Sequence, residues 1–207
     1  MPPSDIWVLK LGGAMRTAEE LPAWLAACVG DAALATRCVV VAGGGGFADE
    51  VRALQAHWHF DDQLAHQLAL DTMRLNARLL HALAPDLPLC TSIALGNLDA
   101  HGGLIWLPPP RFASPQLPAS WSVTSDSVAL WLAQTLGARA VLLVKSLPPA
   151  ALLADSAANL AAQGVVDAHF PLLLAQGKVA ARLLSKVGVG DFQRHLHAGT
   201  LPGVGVS

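Results

Sequence analysis

Residues 6–13 read IWVLKLGG, and residues 39–46 read VVVAGGGG. In each stretch an apolar run of strand length ends in glycines and is followed by sequence compatible with a helix. Loops without side chains at strand ends let backbone N–H groups approach an anion closely, and the N-terminus of the following helix adds a favourable dipole. Lys10 lies inside the first apolar run, where a charged residue is unusual. Two such loops near one lysine indicate two bound phosphates, or one phosphate in transit, which is what phosphoryl transfer requires.

The rest of the chain alternates between strand-like and helix-like segments, which predicts a mostly parallel sheet covered on both faces. Strands are predicted at residues 6–11, 38–42, 87–95, 140–144 and 181–184, and helices at 18–29, from 46 onward, 61–84, 128–136, 168–175 and 192–197. Residues 104–107 are predicted to form part of a small hairpin before a proline-rich loop. We find no repeat and no long linker, so the expected architecture is α/β, a single three-layer α/β/α sandwich over residues 1–207.

The composition argues against several classes of protein. Hydrophobic residues make up 53% of the 207 residues and charged residues only 14%, which argues against disorder. The net charge of −2 gives no electrostatic reason to bind nucleic acid or an anionic membrane surface. No apolar stretch free of prolines and polar breaks reaches the roughly 18–20 residues that a membrane-spanning helix needs. We therefore expect a small-molecule ligand, with neither nucleic acid nor a membrane as partner.

The cysteines and the N-terminal residues bear on the compartment. Cys28, Cys38 and Cys90 are scattered and odd in number, which is typical of small buried thiols and not of a disulfide framework or a zinc site. The sequence begins without a charged and then apolar leader, so no secretory signal is predicted. A reducing cytoplasm is therefore the expected location, and no metal site built from side chains is predicted.

Three polar residues each allow two interpretations. Asp126 lies where a helix is expected to begin, so it can cap the helix, act as a functional carboxylate, or do both. Lys145 ends a predicted strand and is either a surface lysine or a ligand of an anion. His66 is either a partly buried structural residue of the long helix or a group that faces a substrate.

Four motifs follow one another in a characteristic order. They are a strand carrying Lys10 before Gly-Gly, a strand followed by four glycines at 43–46, the stretch TSDSVA at 124–129 opening a helix, and a strand ending in Lys145. Each motif alone has little specificity, but together and on these elements they resemble the amino acid kinase family. Its members include acetylglutamate, aspartate, uridylate and isopentenyl phosphate kinases. The resemblance extends over nearly the whole chain, and it implies ATP with Mg²⁺ as the phosphoryl donor.

The resemblance implies a donor side of the site. Lys10 would contact the transferring phosphoryl group, and Gly12 and Gly13 would hold the terminal phosphates of the nucleotide through their backbone N–H groups. Lys145 would lie beside the nucleotide, together with the following Ser146. No side chain needs to act as a nucleophile, because such sites work by positioning and charge neutralisation.

The resemblance also implies an acceptor side. The second glycine loop would cradle the acceptor and the bridging oxygens, and Asp126 would orient the lysine and the Mg²⁺–nucleotide region. The residues assigned to acceptor binding are Gly43, Gly44, Gly45, His66, Ser125 and Asp126. Those assigned to catalysis are Lys10, Asp126 and Lys145.

Three departures from the family pattern have consequences. Ala14 stands where the family usually has a serine, so one hydroxyl contact to phosphate is lost. The residues SLPP at 146–149 replace an acidic loop with glycine and tyrosine, which leaves the contacts to the nucleotide base open. The stretch GVVDAHF at 164–170 lacks the late Gly-Gly-Met-x-x-Lys of the carboxylate kinases and resembles the uridylate kinase branch, whose members phosphorylate an existing phosphate. Asp167 is either a sign of this branch or a helix N-cap.

A smaller branch of the family is more similar still. The short chain, the segment LPASWSVTSDS at 117–127 and the stretch DDQLAH at 61–66 resemble the kinases of methanofuran biosynthesis. This resemblance implies transfer of the γ-phosphoryl group of ATP to aminomethylfuran methyl phosphate, which becomes its diphosphate.

Other functions remain open on the sequence. The chain can be a kinase of a carboxylate or of a nucleoside monophosphate, or a non-catalytic protein of the same fold that binds a nucleotide or an oxyanion, as Ala14 suggests. It can also be a subunit that a partner enzyme needs, with the fold kept as a dimerisation module. Members of the family are usually dimers or higher oligomers, and the long apolar helix at 61–84 is the expected interface.

Overall fold

A seven-stranded sheet forms the centre of the computed structural model, which describes residues 5–29, 36–92 and 102–207. Its strands are β1 (Ile6–Leu11), β2 (Arg37–Ala42), β3 (Leu89–Cys90), β4 (Gly103–Trp106), β5 (Ala140–Lys145), β6 (Ala180–Ser185) and β7 (Val204–Val206). They are ordered β3-β4-β2-β1-β5-β6-β7. All neighbouring strands are parallel except β6 and β7, which are antiparallel. The predicted mostly parallel sheet is therefore confirmed.

Helices cover both faces of this sheet. They are α1 (Leu21–Cys28), α2 (Gly46–Trp58), α3 (Asp62–Leu83), α4 (Ser125–Thr135), α5 (Ala157–Ala162), α6 (Phe170–Ala175) and α7 (Val189–Ala198), with short 3₁₀ turns at Gly13–Thr17 and Pro149–Ala151. Val8 and Val141 pack with α4 and α6 in one apolar core. Trp7 and Leu9 point the other way and pack with α1 and α7 in a second core. This alternation of side chains along β1 produces the predicted three layers.

Several elements differ from the sequence-based expectations. Residues 104–107 do not belong to a hairpin, because β4 pairs in parallel with β2 on one side and with β3 on the other. The strand predicted at 87–95 is reduced to Leu89–Cys90, and residues 93–95 lie outside the described part of the chain. The first helix begins only at Leu21, because the 3₁₀ turn takes up the residues that follow Gly12. The sequence did not indicate α5 or β7.

Four leucines of α3 lie on a side of the helix that does not face the core. Leu64, Leu75, Leu79 and Leu83 are exposed, and at 3.6 residues per turn they fall within roughly 100° around the helix axis. We call them the leucine face. The buried side of the helix combines apolar residues with two polar ones and consists of Ala65, Leu70, Thr72, Met73, Asn76, Ala77 and Leu80.

The cysteines and the helix lengths bear on the environment of the protein. Cys28 and Cys38 are buried, Cys90 is half-buried, and all three are free thiols. Within the described ranges, no helix combines the length and the apolar character needed to cross a membrane.

Candidate active site

The carboxyl ends of β1, β2 and β5 lie side by side and carry the charged residues of the site. Leu11 in β1 is level with Ala42 in β2 and with Val144 in β5. Because side chains alternate along a strand, Lys10 shares a face with Val8, and Lys145 shares the same face of the neighbouring strand. Helix α4 packs on this face and brings its first turn to the two lysines.

Two ammonium groups meet one carboxylate at this point. The Nζ atom of Lys10 lies 3.0 Å from Oδ1 of Asp126, and Nζ of Lys145 donates to both carboxylate oxygens at 2.9 and 2.8 Å. The side chains of Lys10 and Asp126 are buried, each 7% exposed, and the side chain of Lys145 is 14% exposed. Among these three side chains the two lysines outnumber the one carboxylate, and although the Asp167 carboxylate also acts on Lys145, the two ammonium groups favour binding of an anion at this point.

The ionisation of the cluster depends on the carboxylate. Burial tends to raise the pKa of Asp126, but the charges of Lys10 and Lys145 outweigh burial and hold that pKa below its ordinary value. Burial lowers the pKa of Lys145, the Asp126 carboxylate opposes this shift, and Lys10 adds to it. Asp126 is therefore ionised at neutral pH and keeps the two lysines from repelling each other.

The two glycine loops are in direct backbone contact. A Cβ atom on Gly13 would lie 2.0 Å from the Cα of Gly45, which no side chain can tolerate. Gly45 also has a φ of +59°, a left-handed conformation that favours glycine. The amide of Gly43 donates to the carbonyl of Leu11 at 2.9 Å, and a Cβ on Gly43 would lie 2.9 Å from the amide nitrogen of Gly13. The glycines are thus required by contact between the loops themselves.

Side chains of helix α3 contact the second glycine loop, at residues 43–46, and hold it in place. Asn76 is buried, and its Nδ2 donates to the carbonyls of Gly43 at 2.6 Å and of Gly44 at 2.9 Å. A Cβ on Gly44 would lie 2.6 Å from Oγ1 of Thr72. These contacts tie the carbonyl side of the loop to α3 and leave the carbonyls of Gly43 and Gly44 fixed relative to the helix.

Asp167 fixes the start of α4. Its carboxylate accepts hydrogen bonds from the backbone amides of Thr124 at 2.8 Å, Ser127 at 2.9 Å and Phe170 at 3.0 Å, and from the hydroxyls of Thr124 and Ser127. The sequence left Asp167 as a sign of the branch or as an N-cap. The structure shows that it binds the first turn of α6 and the first turn of α4 at once, and so positions Asp126.

A small cavity opens beside the second loop. It has a volume of about 160 Å³ and is lined by Gly44, Gly45, Ser125, His66, Arg52 and Trp121, with apolar walls from Leu70, Met73, Val123 and Val128. We call it the loop cavity. Burial lowers the pKa of His66, so its imidazole is mostly uncharged at neutral pH.

One wall of the loop cavity joins α2 to the segment before α4. The guanidinium of Arg52 lies 4.5 Å from the ring centroid of Trp121. The indole N–H of Trp121 donates to Oε1 of Gln55 at 2.5 Å. The two contacts hold the indole ring in place across the cavity.

A second cavity lies along β6, on the side of the site that carries Lys145. Ser185 is level with Lys145 in the sheet, and its hydroxyl donates to the carbonyl of Leu147 at 2.6 Å. From Ser185 a space of about 460 Å³ extends between Pro149, Leu152 and other mainly apolar residues. We call it the β6 cavity.

Most predicted site residues come together. Lys10, Asp126 and Lys145 are in contact, Gly12, Gly13, Gly43, Gly44 and Gly45 adjoin them, and Ser125 and His66 line the loop cavity. Ser146 directly follows β5 but has an exposed side chain. The sequence reasoning missed Asn76 and Arg52. Asn76 is detectable in principle, because it is a polar residue at the spacing of the core face of α3.

Two comparisons of sequence relate this chain to known proteins. The model of the amino acid kinase family matches residues 5–148. Among curated proteins, the chain is 28% identical over 159 residues to [5-(aminomethyl)furan-3-yl]methyl phosphate kinase of Methanocaldococcus jannaschii, which covers 72% of this chain and 74% of that protein.

Solved structures show the same fold. Uridylate kinase from Archaeoglobus fulgidus superposes with a TM-score of 0.68 at 15% identity, over 97% of this chain and 99% of that one. UMP kinase from Bacillus anthracis superposes with a TM-score of 0.70 at 14% identity, over 99% of this chain and 96% of that one. UMP kinase from Ureaplasma parvum gives 0.69 at 14% identity, over 99% of both chains. The predicted three-layer architecture is thereby confirmed.

The contact between the two glycine loops predicts that adding one methyl group at Gly13 destabilises the protein, whereas the same change at a glycine outside the loops does not. Gly13→Ala should lower the free energy of unfolding by about 2 kcal/mol or more, because the new Cβ forces the loops apart. Urea unfolding followed by circular dichroism measures this. Gly190→Ala in α7 is the matched control, since its Cβ meets nothing closer than 4.0 Å, and it should change stability by less than about 1 kcal/mol. Equal stabilities of the two variants would contradict the loop contact.

The role of Asp167 predicts a second stability effect. Asp167→Ala leaves the backbone amides of Thr124 and Ser127 without their acceptor at the start of α4, so we expect the free energy of unfolding to fall by about 2 kcal/mol or more. Asp167→Asn keeps one carbonyl oxygen and should cost less. Urea unfolding gives the energies, and hydrogen exchange at the Thr124 and Ser127 amides locates the change. Unchanged exchange at both amides would refute the anchoring role.

Proposed function

The chain belongs to the amino acid kinase family, and from this premise we propose that it transfers the γ-phosphoryl group of ATP to a small acceptor that already carries a phosphate. The proposed acceptor is [5-(aminomethyl)furan-3-yl]methyl phosphate, and the product is its diphosphate. The acceptor is suggested by the 28% identical relative that bears this name. The observation that carries the proposal is the buried Lys10–Asp126–Lys145 cluster between two touching glycine loops.

The cluster suits a reaction between two anions. An acceptor phosphate must approach the γ-phosphate of ATP, and the repulsion has to be neutralised before an oxygen can attack phosphorus in line. In our proposal Lys10 contacts the transferring group, Gly12 and Gly13 hold the terminal phosphates of ATP, and Lys145 lies beside the nucleotide. Asp126 orients the lysines, and its contacts with both ammonium groups support this role. Preorganised charges of this kind lower the barrier without covalent catalysis.

The nucleotide has room on the Lys145 side. The β6 cavity begins at Ser185, level with Lys145, and its volume of about 460 Å³ lies in the range typical of small-molecule sites, roughly 300–1,000 Å³. We place the base and ribose of ATP in this cavity, with Ser146 at its edge. The apolar residues Pro149 and Leu152 then take the place of the family's acidic loop against the base.

The acceptor fits the loop cavity. Its volume of about 160 Å³ is below the roughly 300 Å³ at which drug-sized ligands begin to fit, so it favours an acceptor smaller than a nucleoside monophosphate. Leu70 and Met73 offer apolar walls to a ring. Gly43, Gly44, Gly45 and Ser125 adjoin the transferring group, and His66 lies further along the wall.

We propose that Mg²⁺ enters with the phosphates of ATP. Both oxygens of Asp126 are already bound by lysines, and in the described ranges no group of three acidic, histidine or cysteine side chains is placed to hold a cation. The protein residues therefore do not fit a side-chain magnesium site. Mg²⁺ commonly relies on nucleotide phosphates for most of its ligands.

Two further functions are supported by one observation each. The fold of the three uridylate kinases favours a nucleoside monophosphate as acceptor. The absence of a hydroxyl at Ala14 favours a protein that binds a nucleotide or an oxyanion without transferring it.

An acceptor panel tests the proposal. Product masses and ADP release from Mg-ATP are measured with the aminomethylfuran phosphate, uridine monophosphate, isopentenyl phosphate, acetylglutamate and aspartate. We expect a mass gain of one phosphoryl group on the aminomethylfuran phosphate. Transfer to uridine monophosphate instead would show that the acceptor is a nucleoside monophosphate, as for a uridylate kinase. ATP binding without any transfer would favour a protein that binds a nucleotide without catalysis.

Lys10→Ala should lower the rate of phosphoryl transfer by about 10²-fold or more, since it removes one preorganised charge contact. A retained rate would refute the assignment of Lys10 to catalysis.

We also propose that the protein is a homodimer or higher oligomer that forms through the leucine face of α3. Exposed leucines on one side of a 22-residue helix are an apolar patch of the kind that marks an interface. Sedimentation velocity of the wild type and of Leu75→Glu tests this. We expect the wild type to sediment as a dimer or larger and the variant to shift to the monomer. Leu172→Glu, at an exposed leucine of α6, is the matched control. A monomeric wild type would exclude the interface.

A further inference from the structure

One cation in the wall of the loop cavity is not used by the proposed function. Arg52 lies on α2 and lines the cavity together with Gly44, Gly45 and Ser125. The cavity holds only about 160 Å³. A ligand that reaches the glycine loop through this space therefore also lies close to the guanidinium.

The guanidinium is held in a way that leaves its hydrogen-bond donors available. Its carbon lies 4.5 Å from the centroid of the Trp121 ring, and a cation at this distance is attracted by the ring. Stacking occupies the face of a guanidinium, whereas its N–H donors point outward in the plane and can bind two oxygens at once. Arg52 can thus keep its contact with Trp121 and bind an anion at the same time.

A chain of contacts fixes this platform. Trp121 donates to Gln55, and the Gln55 amide in turn donates to Oδ1 of Asp62 at 2.8 Å and to the carbonyl of Phe60 at 3.2 Å. These contacts join α2, the turn before α3 and the segment before α4. A side chain that is held before the ligand arrives loses less entropy on binding, which increases affinity.

The charge of Arg52 is only weakly neutralised. Its ion-pair partner is Asp49, which also lines the cavity, at 4.0 Å; the Arg52 side chain is 53% exposed and the Asp49 side chain 75% exposed, so solvent screens this pair. The third titratable residue of the cavity, His66, has a pKa lowered by burial and contributes little charge at neutral pH. Among the described residues that line the loop cavity, Arg52 is the cation available to an anionic ligand.

We propose that Arg52 is the residue that selects a phosphorylated acceptor. The edge of its guanidinium binds non-bridging oxygens of the acceptor's own phosphate, opposite the N–H groups of the second glycine loop. A neutral alcohol of the same shape leaves the guanidinium without an anion and binds less tightly. This inference rests on the proposed function, because it names the group that the same site recognises.

The first experiment compares acceptor recognition in three variants. KM and kcat are measured for the aminomethylfuran phosphate and for ATP with Arg52→Gln, Arg52→Lys and Arg194→Gln. Arg194 is the matched control, because it also pairs with an aspartate three residues earlier on an exposed helix surface. We expect Arg52→Gln to raise KM for the acceptor by about 10- to 100-fold, the size of a lost charge-assisted contact, with little change in KM for ATP. Arg52→Lys keeps the positive charge but loses the planar guanidinium that can bind two oxygens at once. Its KM for the acceptor should lie between those of the wild type and of Arg52→Gln.

The second experiment separates recognition from a structural effect and from the identity of the acceptor. Calorimetry measures binding of inorganic phosphate, and of the aminomethylfuran phosphate and its alcohol, with the donor side filled by a non-hydrolysable ATP analogue. The wild type should prefer the phosphate ester to the alcohol, and Arg52→Gln should lose most of that preference. If the furan compound does not bind but inorganic phosphate binds and depends on Arg52, the acceptor is wrong and the role of Arg52 stands. Phosphate binding that is absent from the wild type, or equal in Arg52→Gln and Arg194→Gln, would overturn the role of Arg52.

Discussion

The carboxylate of Asp126 is the contact on which the rest of the site depends. Parallel pairing of β1 with β5 places Lys10 and Lys145 on the same face at the same edge, where two buried ammonium groups would otherwise repel each other. Helix α4 supplies the carboxylate between them, and Asp167 holds the start of that helix through the backbone amides of Thr124 and Ser127. The sheet register, the helix cap and the charge balance therefore form one constraint.

The glycine loops impose a second, purely steric constraint. Gly13 and Gly45 approach so closely that the two loops behave as one surface of backbone, and Asn76 fixes that surface to α3. The charged cluster lies at the edge of this surface and the loop cavity opens beside it. A site of this kind needs few functional side chains, because the backbone supplies donors that cannot rotate away. This is consistent with a chain in which only 14% of residues are charged.

Local sequence predicted the elements better than their partners. The bounds of β1 follow from an apolar run interrupted only by Lys10, and the end of α3 follows from Pro85, which a helix cannot continue through easily. Pairing is not encoded locally, so the sequence predicts part of a hairpin at residues 104–107, whereas β4 pairs in parallel with β2 on one side and with β3 on the other. The charged cluster was found because each member stands at the end of a strand or helix. Arg52 and Asn76 were missed because their roles arise only from contacts with other elements.

Helix α3 carries two features that are usually far apart in a protein. Asn76 donates two hydrogen bonds to the second glycine loop at the centre of the site. On an adjoining side of the same helix, the leucine face is open to solvent. A rigid helix moves as a unit, so a shift that seats the leucines against another surface also lengthens or shortens the two hydrogen bonds of Asn76. Such a shift links the two events thermodynamically: the free energy by which a filled site favours association equals that by which association favours a filled site. If the leucine face binds a second protomer, α3 therefore couples ligand binding at the glycine loop to association.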